Sequence, residues 1–215
     1  PAGARREGGR QYLTEEMFSA LGALPALAHL RLSGQPGDWG RRFWTLHAHR
    51  GRFRTLHLDG CKPMSGDVVF GLLHRCAVLE SLRLPALLQD GAADAGALHR
   101  SNPSDRWCRG LRCAGLRELA VDAWEGLEDA GVQALASHCP RLRTVALQRC
   151  PRLTDDAATY LAALPGLVTL TLTRASGLTD RGLLDLGVAP RLEALDLSAA
   201  RAVTGAGAER LAAAP

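Results

Sequence analysis

The chain has 215 residues, 47% of them apolar and 22% charged, with a formal net charge of +4. That mix excludes a disordered chain, and so small a positive charge does not by itself imply a nucleic-acid partner. No run of 18 apolar residues occurs, so neither a transmembrane helix nor membrane insertion is predicted.

Residues 1–12 read as an N-terminal arm or a truncated end. Leu13, Met17, Phe18 and Leu21 then match the helical half of a unit. From there one pattern, Leu-x-x-Leu-x-Leu, recurs along the chain. It occurs at Leu27, Leu30 and Leu32, at Phe53, Leu56 and Leu58, and at Leu79, Leu82 and Leu84. It returns at Leu116, Leu119 and Val121, at Leu142, Val145 and Leu147, at Leu167, Leu170 and Leu172, and at Leu192, Leu195 and Leu197. Successive units start 26, 26, 37, 26, 25 and 25 residues apart, too regular for chance.

The period dictates local structure. Leu-x-Leu alternates, which predicts a short strand with one buried face. A second apolar set follows each strand, such as Leu153, Ala158 and Leu161, or Leu178, Leu183 and Leu186. Its last two members are three apart, a helical spacing. Thr154–Asp155 and Thr179–Asp180 supply N-caps. Each unit is therefore strand, turn, helix and return. One unit cannot bury its apolar face alone, but a stack can. The predicted fold is α/β, a leucine-rich-repeat solenoid over residues 13–215: an open horseshoe of seven parallel strands on the concave face and helices on the convex face. Both ends fall inside a unit without a polar cap, so the chain reads as a piece of a longer protein.

The segment Cys139-Pro140-Arg141-Leu142, followed by Leu147-x-x-Cys150-x-x-Leu153-Thr154-Asp155, resembles the cysteine-containing class of leucine-rich repeat. That class is best known from F-box proteins, the substrate receptors of cullin ubiquitin ligases. The resemblance implies a protein-interaction module, with substrate recognition as its role. The alternative is a non-catalytic structural or assembly subunit of a large organellar or ciliary complex. Residues 1–12 are too short to hold an F-box.

Of the six cysteines, five fall in two recurring slots. Cys61 and Cys150 lie three residues after the last strand leucine, and Cys76, Cys113 and Cys139 lie three before the next strand. They are expected to be small buried core residues without disulfides. Cys108 has no slot; with Cys113 and His99 it makes at most a partial zinc set lacking a fourth ligand. No metal or cofactor is expected, and free thiols in this number fit a reducing, intracellular compartment. A phosphate loop, a hydrolase elbow and a His-Glu-x-x-His zinc motif are all missing, so the chain reads as non-catalytic.

The 37-residue spacing carries an insertion, placed at about residues 99–115, with Arg100, Arg106, Trp107, Arg109 and Arg112. It is either a tolerated surface loop or a partner contact, since Trp and Arg are common hot-spot residues. Trp39, Phe43 and Trp44 form a second aromatic cluster, read as mainly core, with Trp44 its more exposed member. His29 and His57 are read as equivalent, exposed strand positions.

Residues between the strand leucines should face outward. They begin with His29, Arg31, Ser33, Thr55, His57, Asp59, Ser81 and Arg83, turn acidic at Glu118, and become small and hydroxyl-rich at Thr144, Thr169, Thr171 and Thr173. The expected partner-binding surface is therefore His29, Arg31, His57, Asp59 and Arg83 together with Arg106, Trp107 and Arg109. Its partner is expected to be another protein. Nucleic acid is not expected, because no aromatic stacking platform accompanies the arginines.

Overall fold

A computed structural model of the chain describes residues 5–7, 10–35, 51–65, 73, 76–88, 108, 111 and 113–212. The seven leucine motifs form seven strands: β3 (His29–Arg31), β4 (Thr55–His57), β6 (Ser81–Leu84), β8 (Glu118–Val121), β9 (Thr144–Leu147), β10 (Thr169–Leu172) and β11 (Ala194–Asp196). They make one open sheet in strict chain order, and every pairing is parallel. Strands β1 (Arg5–Glu7) and β2 (Arg10–Tyr12) form an antiparallel pair, while β5 (Met64–Ser65) and β7 (Leu87–Leu88) form a second parallel pair.

Register follows the motif. Leu30, Leu56, Leu82, Leu119, Val145, Leu170 and Leu195 stand side by side across all seven strands. The 37-residue unit does not disturb this row, because Leu82 pairs directly with Leu119. A one-residue slip would turn every leucine outward, so burial fixes the register. Leu56, Leu82, Leu119 and Leu170 are fully buried, and β8, β9 and β10 alternate half-buried with buried residues along their length.

Among the described residues there are five α-helices: α1 (Glu15–Gly22), α2 (Asp129–His138), α3 (Asp155–Ala162), α4 (Asp180–Gly187) and α5 (Gly205–Ala212). Helices α2 to α5 stack in sequence order behind the sheet. The second apolar set lies between the layers: Val132 and Leu135, Ala158 and Leu161, and Leu183 and Leu186 are buried. The threonine caps read from the sequence are present. Thr154 accepts from the Asp156 amide and Thr179 from the Arg181 amide.

The aspartate beside each cap acts between repeats. Asp129 accepts from the Thr154 amide and hydroxyl at 2.9 and 2.7 Å. Asp155 does the same for Thr179 at 2.7 Å each, and Asp180 for Thr204, again at 2.7 Å. Asp155 also takes the Gly182 amide at 3.0 Å. A Cβ at residue 182 would lie 2.5 Å from that carboxylate, so the close approach needs glycine. This ladder ties each helix start to the helix before it.

The turn after each strand imposes its own condition. Gly34, Gly60, Arg149, Arg174 and Ala199 sit two residues beyond the last strand leucine of their repeats, and all five have φ between 53° and 61°. That left-handed conformation suits glycine and costs any residue with a Cβ.

Within the insertion, Cys108 and Leu111 are fully buried with the core. Their apolar side chains continue the layer that leads through Cys113 into β8. His29 and His57 are not equivalent: His29 pairs with Thr55, and Arg31 pairs with His57. The cluster Trp39, Phe43 and Trp44 lies outside the described residues.

Candidate functional site

The outward face of the sheet carries three rows of side chains across the strands. Its N-terminal half carries a connected polar network of four side chains and a separate His29–Thr55 pair. His57 Nε2 lies 2.6 Å from Ser81 Oγ, and Ser81 donates to Glu118 Oε2 at 2.6 Å. Arg83 donates to Glu118 Oε1 from Nε at 2.8 Å and from its terminal nitrogen at 2.5 Å. One strand earlier, His29 Nδ1 meets Thr55 Oγ1 at 3.0 Å. The network spans β4, β6 and β8, so it exists only when the repeats are stacked.

Its electrostatics follow from burial and charge. Burial, helped by the Arg83 and Arg31 guanidiniums, lowers the His57 pKa below its usual range, so the imidazole is neutral at pH 7. Glu118 loses some hydration, which raises its pKa, but the hydrogen bonds from Ser81 and Arg83 outweigh this and hold it below the ordinary carboxylate range. Because the one Ser81 hydrogen goes to Glu118, His57 Nε2 donates to the serine oxygen. That order is unsuited to nucleophilic catalysis, which needs the histidine to accept the serine proton. The trio is a bracing network.

Several candidate residues change meaning in this setting. Arg31 and His29 are exposed, but His57 is only 6% exposed. Asp59 is half-buried at the strand end. Arg83 is exposed, yet its guanidinium is already held by Glu118, so the basic and acidic stretches read from the sequence largely neutralise each other there. Arg106, Trp107 and Arg109 lie outside the described residues. Farther along, Ala120, Thr144, Ala146, Thr169 and Thr171 give a half-buried floor of small side chains.

No protein-family profile matches the chain, and no curated protein matches it. Among solved structures it matches a chain described as the crystal structure of the Rad7 and Elc1 complex in yeast, at a TM-score of 0.53 and 17% sequence identity. The match covers 93% of this chain and 63% of that one, so this chain spans less than two thirds of the chain it matches. The fold is a leucine-rich-repeat solenoid.

Within that solenoid the cysteines are core residues. All six are free and buried. The Cys113 thiol donates to the Cys76 carbonyl at 2.7 Å, and the Cys61 thiol to the Leu32 carbonyl at 3.7 Å. Burial pushes the Cys139 thiol up to about 11 and the Cys150 thiol to about 12, and moves Cys61 and Cys113 in the same direction. Thiols so far from ionising at neutral pH are poor nucleophiles and poor metal ligands. Among the described residues no group of three His, Cys, Asp or Glu side chains is placed to hold a metal, and no helix is long and apolar enough to cross a membrane.

Sequence reading missed two features. Trp124, just after β8, is the bulkiest fully buried side chain among the described residues; it lies outside the leucine rows, and its burial depends on the neighbouring turn, where its amide donates to the Gln148 carbonyl at 3.0 Å. The aspartate ladder was signalled by Asp129, Asp155 and Asp180 recurring 26 and 25 residues apart, a period hidden behind the more obvious threonine caps.

Proposed function

We propose that the chain is a protein-binding repeat domain whose partner docks on the outward face of the sheet, over its N-terminal strands. The observation that supports this most is the seven-stranded face itself, which the described helices leave uncovered and which presents Arg31, His29 and Asp59 beside a braced charged network. Preorganised polar groups lose little entropy on binding and favour one partner orientation. The proposal also gives Arg106, Trp107 and Arg109 a part in partner contact, on their residue types alone. The matched solved chain comes from a complex of two proteins, which agrees with an interaction role.

The finer reading is that the partner is a substrate of an F-box-type ubiquitin ligase and that these repeats recognise it. Support comes from the Cys139-to-Asp155 repeat signature, which resembles that class. The competing reading is a non-catalytic assembly subunit. Affinity purification of the tagged full-length protein from its own cells separates them. Co-purified cullin-ligase subunits, with a target that accumulates when the ligase is blocked, support the receptor. A fixed-stoichiometry complex lacking those subunits supports the assembly subunit. The surface itself is tested by Arg31→Glu combined with Trp107→Ala, measured against the captured partner. Loss of binding is expected. Survival of that variant, with loss on replacing Thr169 and Thr171 by bulky residues, places the surface at the other end.

A further inference from the structure

A second charged surface lies at the N-terminal ends of the strands, away from the network on the sheet face. Arg117 and Arg143 each stand one residue before β8 and β9, which pair directly. Arg141 and Arg191 occupy another common slot two repeats apart, and Gly166 fills that slot between them with no side chain. The four arginines line one open depression of about 420 Å³, floored by Pro140, Pro165 and Gly166. All four are exposed. None forms an ion pair among the described residues, whereas Arg54, Arg83 and Arg152 each have a glutamate partner. In the same row Glu80 is taken by Arg54, which leaves Glu193 as the uncommitted carboxylate beside it.

Like charges on adjacent strands repel, so a cluster of four guanidiniums without an ion-pair partner calls for a counter-charge from outside. We propose that this rim is a docking site for an acidic protein segment, an extended stretch bearing several aspartate or glutamate carboxylates. Strands about 4.8 Å apart spread the arginines over roughly 14 Å, the length of about four extended residues. Each guanidinium offers a planar fork that matches one carboxylate. A compact phosphate site fits less well. The amides of Arg117 and Arg143 are already donated to the Glu80 and Arg117 carbonyls at 2.8 Å, and Pro140 and Pro165 have no N–H, so these positions add no backbone cradle. Nor does any aromatic side chain line the depression on which bases could stack.

The test is fluorescence anisotropy with a labelled glutamate decapeptide, run beside a labelled thymidine decanucleotide of similar charge. The wild-type chain is expected to bind the peptide, more weakly as salt rises from about 50 to about 300 mM. Arg143→Glu with Arg191→Glu should weaken it about tenfold or more. Arg181→Glu with Arg201→Glu, the same charge change on exposed arginines elsewhere, should change it less than about twofold. Circular-dichroism melting checks folding, and Arg143→Gln with Arg191→Gln replaces the reversal if that variant unfolds. Equal losses from both pairs, no binding by the wild type, or preferential binding of the decanucleotide would overturn the proposal. The rim arginines lie outside the sheet-face network, so this result does not depend on the proposed partner of that face.

Discussion

The two halves of the sheet share one core and carry different outer faces. Over β4, β6 and β8 the outer face is a charged, cross-strand network built on His57, Ser81, Arg83 and Glu118. On β9 and β10 it is threonine and alanine, and on β11 an alanine and the exposed Asp196. Behind both runs the same row of buried leucines and valine. Repeat stacking needs only the inner rows, which leaves the outer rows free to differ. The half where they are costly to maintain is the half where a binding role is proposed.

The shared core gives the largest expected effect. Leu56 and Leu170, in the two halves, are both fully buried in the central row. Leu56→Ala and Leu170→Ala should each destabilise by about 2–5 kcal/mol through cavity formation. Urea unfolding of both variants checks this, and a large gap between them would break the equivalence of the halves.

Outer-face changes should divide by half. Glu118→Ala leaves Ser81 and Arg83 without their acceptor and should cost about 1–2 kcal/mol, reduced from a buried charged bond by the partial exposure of the pair. Its row neighbour Thr144 has no such partners in the network, and Thr144→Ala should stay within about 0.5 kcal/mol. Equal costs would mean that the network contributes no bracing.

The strand-exit turns sharpen the comparison from the other side. The N-terminal half meets the left-handed requirement with Gly60, the C-terminal half with Ala199, both at φ 61°. Gly60→Ala should lose about 1 kcal/mol, and Ala199→Gly should gain about 0.5 kcal/mol. Thermal melts of the two variants should move in opposite directions.

The smallest effect is in pH. His57 has a lowered pKa in the folded chain, so below the ordinary histidine value of about 6.5 the unfolded chain binds more protons. Stability should therefore be full above that value and decline as pH falls through it toward the folded pKa. His57→Gln should flatten this segment of the stability profile. The carboxylates with lowered pKa, Glu118, Asp180 and Asp196, lose their contribution only farther into acid, which separates the two windows.

The candidate face was legible as a set of outward positions and not as a set of contacts. Alternation alone places Arg31, His57 and Arg83 between strand leucines. It does not reveal that His57 is covered, that Arg83 is neutralised by a glutamate 35 residues later, or that His29 stands beside Thr55. Nor does it reveal that Cys108 and Leu111 are buried. Within a lengthened repeat the regular spacing no longer says which residues return to the core, and only packing against the neighbouring repeats decides it.

The sequence by itself determined the solenoid, because burying one apolar face at a period of about 25 residues has few other solutions, and it determined the leucine rows and the threonine caps, which depend on residues near in the chain. Tertiary structure decided the rest: the aspartate ladder, the His57–Ser81–Glu118–Arg83 network and the unpaired arginine rim. The ladder and the network depend on which side chains meet across strands or turns that lie 24 to 37 residues apart in the chain, and the rim on which arginines find no ion-pair partner there. Such meetings are set by register, burial and competition between neighbours, and local periodicity carries none of the three.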